Sequence, residues 1–537
     1  MDVLLVIPKY LNQIEPLYDY PTAIGLSYIS AALKGAKHNV KCLNLNQEKG
    51  YPRDILTKAL DEKKYDIVAT GGVATLYNML EIILDTAKNH KSEPKTVLGG
   101  LIITTEPDLI FDALKPDIGV LGEGEKTIVE LLDYLEKKKD LKKVNGIMYQ
   151  TENGTVRINE KREVIQDLDT IPFPDMEGIG FQEQLDHMHT NFGYQTSIMD
   201  KPSVYHILTS RSCPFQCTFC YHDSHYRTRS IKNVMEELNQ VIKKYKINIL
   251  IIYDDCFAIN KERIKEFCIG IKKIQSEIDW ELKWHCQLMV STVDKELLKT
   301  LKDAGCYMIS YGFESYSPIV LKSMRKNITP EKIDFALKET IKAGINLQAH
   351  FIFGDIAETM ETAKETLDYW KENCEGQVYL NLIGAYPGSY IYNYCVEKGL
   401  IKDKLDYIKN RVALDPTFNM TEKMTNGEYN KLKREVRSMK KYLYPTVPKS
   451  MKKEGFQTYS LKVVCPFCKK INEYKNSLIF KPWNFNMDIL CRHCYKKYLI
   501  TCRLHKIAFQ HYSFFKPIIQ VYNYILMNIG KRKMNKT

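Results

Sequence analysis

The stretch SCPFQCTFCYH, residues 212–222, decides the reading of this chain. It sets Cys213, Cys217 and Cys220 in a C-x3-C-x2-C triplet just after the apolar run VYHILTS, residues 204–210. Thiolates this close together select zinc, copper or an iron–sulfur cluster. A structural zinc site takes four ligands and usually brings its cysteines in pairs, but here the local motif ends at three. A 4Fe–4S cluster held by three cysteines leaves one iron open to a small molecule, so the missing ligand is the functional one.

Outward from the triplet, strand and helix patterns alternate. VYHILTS, NILIIYDD, LKWHCQL, MISYGFES, LQAHFIFGD and VYLNLIGAYPG are candidate strands separated by helical segments. Six such units over residues 201–425 predict a partial (β/α)6 barrel, with the triplet on the loop at the carboxyl end of its first strand. Barrel enzymes carry their chemistry at that end. Residues 1–145 show the same alternation in DVLLVI, YDIVATGG, KTVLGG and IGVLGEGE, apolar runs that close on glycine. This predicts a doubly wound α/β domain that binds its ligand at the strand ends. Between the two, residues 146–200 read as a hairpin with an Asn-Gly turn, VNGIMYQTENGTVRIN, and a proline-containing connector, DLDTIPFPD.

With Phe219 just before its third cysteine, the triplet resembles that of the radical S-adenosylmethionine (SAM) superfamily. The resemblance implies a 4Fe–4S cluster whose open iron binds the amino and carboxylate groups of SAM. Reductive cleavage of SAM there gives a 5′-deoxyadenosyl radical that removes a hydrogen atom from substrate. It implies SAM contacts from Gly312, Glu314 and Ser315 in YGFES and from Gly354 in HFIFGDIAET, with AYPGS (385–389) as an adenine or substrate loop. Asp254 and Asp255 end the second barrel strand, where the superfamily places contacts to the SAM amino group, although this chain has no GGE triplet.

The first domain resembles the cobalamin-binding domain that precedes the barrel in a large class of these enzymes. The resemblance rests on YPTAIGLSYISAAL (20–33), GGVATLYNM (71–79), LGG (98–100) and LGEGE (121–125). It implies cobalamin contacts from Thr22, Gly71, Thr75, Gly99, Gly100, Gly122 and Glu123, with Gly99 and Gly100 allowing close backbone approach. The histidines of this region, His38 and His90, do not fit the D-x-H-x-x-G pattern that ligates cobalt from below. A cobalt without a protein histidine favours methyl transfer.

A second cysteine cluster follows a basic segment, residues 426–460, read as a linker. Cys465, Cys468, Cys491 and Cys494 form C-x2-C–x22–C-x2-C over residues 461–505, the spacing of a zinc ribbon. Cys502, His493 and His505 lie close enough to be alternative ligands, and a second iron–sulfur cluster is the rival reading of the site. The last segment, 506–537, is aromatic and ends in basic residues. Ile507, Phe514, Ile518, Tyr522 and Ile525 fit a helical stripe that packs on the barrel or lies at a membrane surface.

The 15 cysteines are odd in number and clustered, which fits metal binding in a reducing cytoplasm rather than a secreted disulfide framework. No run of about 18 uncharged apolar residues is long enough to span a membrane. The opening MDVLLVIPKYLN reads as a first strand rather than a signal peptide. The net charge of +12 suits acidic partners. Together these features predict a cobalamin-dependent radical SAM methyltransferase acting on an unactivated carbon of a small-molecule, lipid or glycan substrate. Its electron donor would be a flavodoxin or ferredoxin type. Radical cyclisation or rearrangement by the same machinery is the near alternative. RNA modification is disfavoured, because radical methylthiotransferases carry three cysteines in the first domain and this one has only Cys42. A nucleic-acid-binding module on an inactive barrel is disfavoured because exposed thiolates oxidise.

Overall fold

A computed structural model describes residues 1–221, 225–257 and 259–510. The first sheet is built from β1 (Asp2–Ile7), β2 (Asn39–Asn44), β3 (Ile67–Gly71), β4 (Lys95–Gly99), β5 (Ile118–Val120), β6 (Ile147–Gln150) and β7 (Val156–Ile158), in the order β2-β1-β3-β4-β5-β6-β7. Strands β1 to β5 pair in parallel, with helices on both faces. That placement is why VLLVI of β1 is an unbroken buried run rather than an alternating one. The order reverses between β1 and β3, the switch point where such sheets bind ligands.

Two features depart from expectation. β2, with its alternating exposure, was not among the predicted strands. The hairpin β6–β7 is not part of a connector: β6 pairs antiparallel with β5 and extends the first sheet.

The second sheet is six-stranded, in the order β15-β14-β13-β12-β11-β8. Its strands are β8 (Val204–Ile207), β11 (Ile249–Ile252), β12 (Lys283–Gln287), β13 (Cys306–Glu314), β14 (Asn346–Phe353) and β15 (Val378–Leu382), all parallel. The short ribbon β9 (Ser210–Arg211) and β10 (Arg227–Thr228) brackets the cysteine loop. Side-chain caps from Ser230, Asn260, Asp294, Thr359 and Ser389 start the surrounding helices. This is the expected open, partial barrel.

The basic segment is not a linker. Its first part is a helix, Asn426–Ser438, which buries Tyr429, Leu432 and Val436. Leu432 and Val436 join the barrel core. Lys431, Arg434 and Arg437 lie exposed on the outer face of that helix. Beyond it, β16 (Pro445–Thr446), β17 (Ser450–Lys453), β18 (Thr458–Val464), β19 (Ile471–Leu478), β20 (Asn486–Leu490) and β21 (Lys497–Thr501) form two three-stranded sheets. The proposed surface stripe of the tail lies almost wholly outside the described residues. Among the described residues, no helix is long and apolar enough to cross a membrane.

The first domain and the barrel share a core. Leu80, Ile102 and Phe111 of the former pack in one cluster with Ile391, Tyr392 and Tyr407 of the latter. Ion pairs Glu106–Lys404 (3.0 Å) and Glu81–Lys409 (2.8 Å) flank that seam.

Candidate active site and four-cysteine metal centre

Cys213, Cys217 and Cys220 line one cavity of 500 Å3 at the carboxyl ends of the barrel strands. Backbone bonds fix their loop: Thr218 N–H donates to Met324 O (3.2 Å), Ile391 N–H to Thr218 O (3.0 Å) and Cys220 N–H to Cys217 O (3.1 Å). Three thiols from one loop facing one cavity fit a three-cysteine cluster. Cys256, after β11, lines the same cavity and was not singled out in the sequence, where its lone position gives no spacing signal.

Gly312 and Glu314 also line this cavity; Ser315 and Gly354 do not. The Glu314 carboxylate pairs with Lys326 Nζ at 2.8 Å. A Cβ at Gly312 would meet the tips of both side chains, so glycine leaves room for the pair as it stands. Lys326 is the second residue that sequence reasoning missed. The Ser315 hydroxyl turns into the protein, bonding Thr366 Oγ1 (3.2 Å) and accepting from Ser317 N–H (3.1 Å). Gly354 is covered by Tyr429 from the helix read as a linker, and its N–H donates to Glu358. Ser315 and Gly354, expected as SAM contacts, thus lie outside the lining of the cluster cavity. Asp254 is committed as well: its carboxylate accepts from Thr209 N–H (2.6 Å) and Oγ1 (2.5 Å).

A second cavity, of 630 Å3, opens at the switch point of the first sheet. Thr22, Gly71, Gly99, Gly100, Gly122 and Glu123 line it. Thr75 does not; it lies exposed on the turn Ala74–Leu76, and that assignment is corrected. Gly100 is also required by the fold. At φ +89° its Cβ would meet Gly72 O at 2.6 Å, so the two strand-end backbones touch each other. A Cβ at Gly122 or Gly25, by contrast, would meet nothing within 4 Å. An apolar, glycine-walled cleft with no histidine in its lining fits a broad corrin that takes no base from the protein.

The Glu123 carboxylate already has partners within the protein. It pairs with Arg211 (3.0 Å) and Arg227 (2.9 Å), which belong to the ribbon around the cysteine loop, and accepts from Ile165 N–H (2.7 Å). These guanidiniums hold its carboxyl below the usual range despite burial. Arg211 also pairs with Glu125. The quartet ties the first domain to the cluster loop. Arg227→Met leaves buried carboxylate charge poorly compensated and is expected to cost roughly 3 kcal/mol, read as a lowered urea midpoint with iron content unchanged.

A third cavity, of 640 Å3, lies inside the barrel. Asp255 lines all three cavities, and Gly312 and Glu314 are shared between the cluster cavity and the barrel interior.

The four ribbon cysteines bring their Sγ atoms within 4.8 Å of one another and form a metal site. The two C-x2-C turns are built alike. Cys465 N–H donates to Lys470 O (2.9 Å) and Cys491 N–H to Lys496 O (3.0 Å), with left-handed residues at Lys469 and Tyr495. Backbone N–H groups of Phe467 and His493 donate to Cys465 and Cys491 sulfurs at 3.4 Å, as thiolate ligands require. The alternative ligands are engaged elsewhere: His493 Nε2 meets Ile471 O at 3.1 Å and His505 Nδ1 meets Asn486 at 3.0 Å. Cys502 stands outside the group.

An open parallel barrel with a cysteine triplet beyond its first strand, facing the switch point of a doubly wound domain, defines a two-cofactor radical enzyme. Comparison with protein families agrees: residues 207–369 match the radical SAM superfamily and residues 14–132 the B12 binding domain. The chain thus joins a radical SAM domain to a B12-binding domain. It is similar to an uncharacterized methyltransferase of Pyrococcus horikoshii, 29% identical over 462 residues, covering 83% of this chain and 94% of that one. It is also similar to the anaerobic magnesium-protoporphyrin IX monomethyl ester cyclase of Rubrivivax gelatinosus, 27% identical over 376 residues and 68% and 65% of the two chains. Among solved structures it shares the fold of the radical SAM methyltransferase TsrM from Kitasatospora setae, with a TM-score of 0.61, 17% identity and coverage of 75% and 77%.

Proposed function

We propose that this protein is a cobalamin-dependent radical SAM methyltransferase that methylates an unactivated carbon of a small molecule. The observation that carries this reading is the meeting of three cavities at Asp255. A methyl donor, a radical source and a substrate must all reach one carbon, and holding them in adjoining chambers supplies that proximity. The cluster with SAM supplies a 5′-deoxyadenosyl radical and cobalamin supplies a transferable methyl group.

The chain's own residues do the holding. Cys213, Cys217 and Cys220 carry the cluster. Gly312 leaves room at the cavity wall, and the Glu314–Lys326 pair presents a fixed, nearly neutral surface towards SAM. Gly71, Gly99 and Gly122 floor the corrin cleft, and Thr22 sits at its edge, bonded to Gln184 and His206 (both 3.4 Å). The four-cysteine centre holds zinc in a structural role. The positive balance suits an acidic electron donor of flavodoxin or ferredoxin type, in the cytoplasm. The named activities of its methyltransferase relatives support methylation, and the similarity to a cyclase keeps ring formation as the second reading. RNA modification stays disfavoured, since Cys42, the one cysteine of the first domain, is half-buried and bonded to Ser30.

Gly25→Trp tests the reading. Gly25 lies in the helix Ile24–Gly35 and lines the cleft, with open space around its missing Cβ. An indole there occupies corrin space, whereas the helix itself gains from losing glycine. Hydroxocobalamin affinity should fall at least about 100-fold, equivalent to about 2.7 kcal/mol, by absorbance titration. Iron content and SAM cleavage should persist while methyl transfer stops. Unchanged cobalamin affinity, or no cobalamin binding by the native chain, would overturn the assignment.

A further inference from the structure

We infer that the barrel cavity takes an uncharged hydrogen-bonding group, a carboxamide or hydroxyl on an apolar body, and that His285 is the residue that selects it. The inference rests on the reading above, that substrate occupies this cavity.

His285 lies on β12 and is 9% exposed, yet neither ring nitrogen has a partner in the protein. A buried, unpartnered polar group costs about 1–3 kcal/mol, which a ligand bonded to it would recover. His206 stands level with it across the sheet, since both residues register with Ile251 of the strand between them. One layer up, Ser310 donates to Gln348 Oε1 at 2.6 Å. That bond leaves the Gln348 amide nitrogen without a protein acceptor among the described residues. His350, the third histidine of the wall, meets Asn381 through Nδ1 at 2.8 Å.

The charge of the wall decides the ligand class. No lysine or arginine lines the cavity. A phosphate or carboxylate would be desolvated there without a counter-charge, which is prohibitive for an ion. An ammonium at the level of His285 fares little better, because Asp254 is bonded to Thr209, Glu314 to Lys326, and Asp255 lies four residues beyond Ile251, where the three cavities meet. Burial holds His206 down to about 4 and His285 to about 3, so both rings are neutral. A neutral imidazole offers one donor and one acceptor, the complement of a carboxamide or hydroxyl. Ile251, Ile352 and Leu382 supply apolar surface for the rest of the molecule.

The test uses benzamide, benzoate and benzylamine, matched in shape and differing in charge, with cluster-loaded, cobalamin-loaded enzyme and saturation-transfer NMR. Benzamide should bind at least about tenfold tighter than either ion, or about 1.4 kcal/mol. His285→Asn, which keeps a donor and an acceptor, should retain that preference. His285→Leu and, independently, Gln348→Leu should each lose it, and ligand-free His285→Leu should melt no lower than the native protein. Equal or better binding of an ion, no binding of benzamide, or unchanged affinity in both leucine variants would overturn the inference. So would a lowered melting temperature in His285→Leu, which would make the histidine structural. These measurements need no turnover. A failure of the methyltransferase reading would instead appear as absent cobalamin binding or absent 5′-deoxyadenosine.

Discussion

Cys213→Ala, Cys217→Ala and Cys220→Ala should each lower 5′-deoxyadenosine formation by at least about a thousandfold, some 4 kcal/mol of barrier. The reason lies in how the loop is built. All three thiols come from eight consecutive residues pinned at Thr218 and Cys220 by backbone bonds, so the loop can shift little to bring in another ligand. Among the described residues, Cys256 is the one further thiol that lines the cavity. It follows β11 rather than the loop and stands on the Cys213 side, so it is the residue to remove in parallel. Cys256→Ser should keep its iron and its SAM cleavage. Anaerobic iron and sulfide counts, with chromatography of 5′-deoxyadenosine, read both sets. Normal cleavage in any triplet variant would show that the radical source lies elsewhere. Loss of cleavage in Cys256→Ser with full iron would give that residue a part in SAM binding.

What the sequence made legible follows from which physical signals are local. The barrel strands read correctly because parallel strands covered on both faces become continuous apolar runs, as in ILII of β11. The paired C-x2-C turns read correctly because metal geometry restricts spacing, and the same restriction drew attention to the triplet, whose three thiols line one cavity. β2 was lost because at the sheet edge its residues alternate between exposed and half-buried, without an apolar run. The helix Asn426–Ser438 was lost because its charge was read as a composition, while Tyr429, Leu432 and Val436 at three- and four-residue spacing marked a buried face.

At the site the local pattern says less. Glu123, Ser315 and Gly354 sit at strand ends where ligands bind, but strand ends are also where neighbouring elements meet. Two arginines, Thr366 and Tyr429, each distant in the chain, claim those three positions. His285 and Lys326 show the converse. Each gains its meaning from register and from a cavity that no local pattern reveals.

Removal of the ribbon metal should have the largest effect on stability, and the structure says where it will be felt. Structural zinc contributes about 10–16 kcal/mol to the folding of small domains, and the core around these cysteines is small, centred on Leu461, Val463, Tyr474 and Ile489. Such a core does not hold without its metal, so Cys491→Ser should release the metal and melt residues 458–501. The module is also a part of the barrel wall. Asn346 donates to Tyr495 O at 2.7 Å, Gln377 to Lys497 O at 2.9 Å, and Tyr379 to Asp488 at 3.2 Å, all near the amino ends of β14 and β15. Arg492 bonds Ser197 O (3.1 Å) and pairs with Asp200 (2.9 Å), bracing the turn Tyr194–Ile198 whose Gln195 faces the barrel cavity. Loss of metal should therefore expose residues 190–200 to protease and weaken benzamide binding at least about tenfold. The triplet lies at the opposite, carboxyl ends of the strands, so cluster iron should be retained. Elemental analysis of anaerobically purified protein should find one zinc beyond the iron of the cluster. Iron at the ribbon would make it a second redox centre, and a protease pattern unchanged by Cys491→Ser would show that the module docks on the barrel without supporting it.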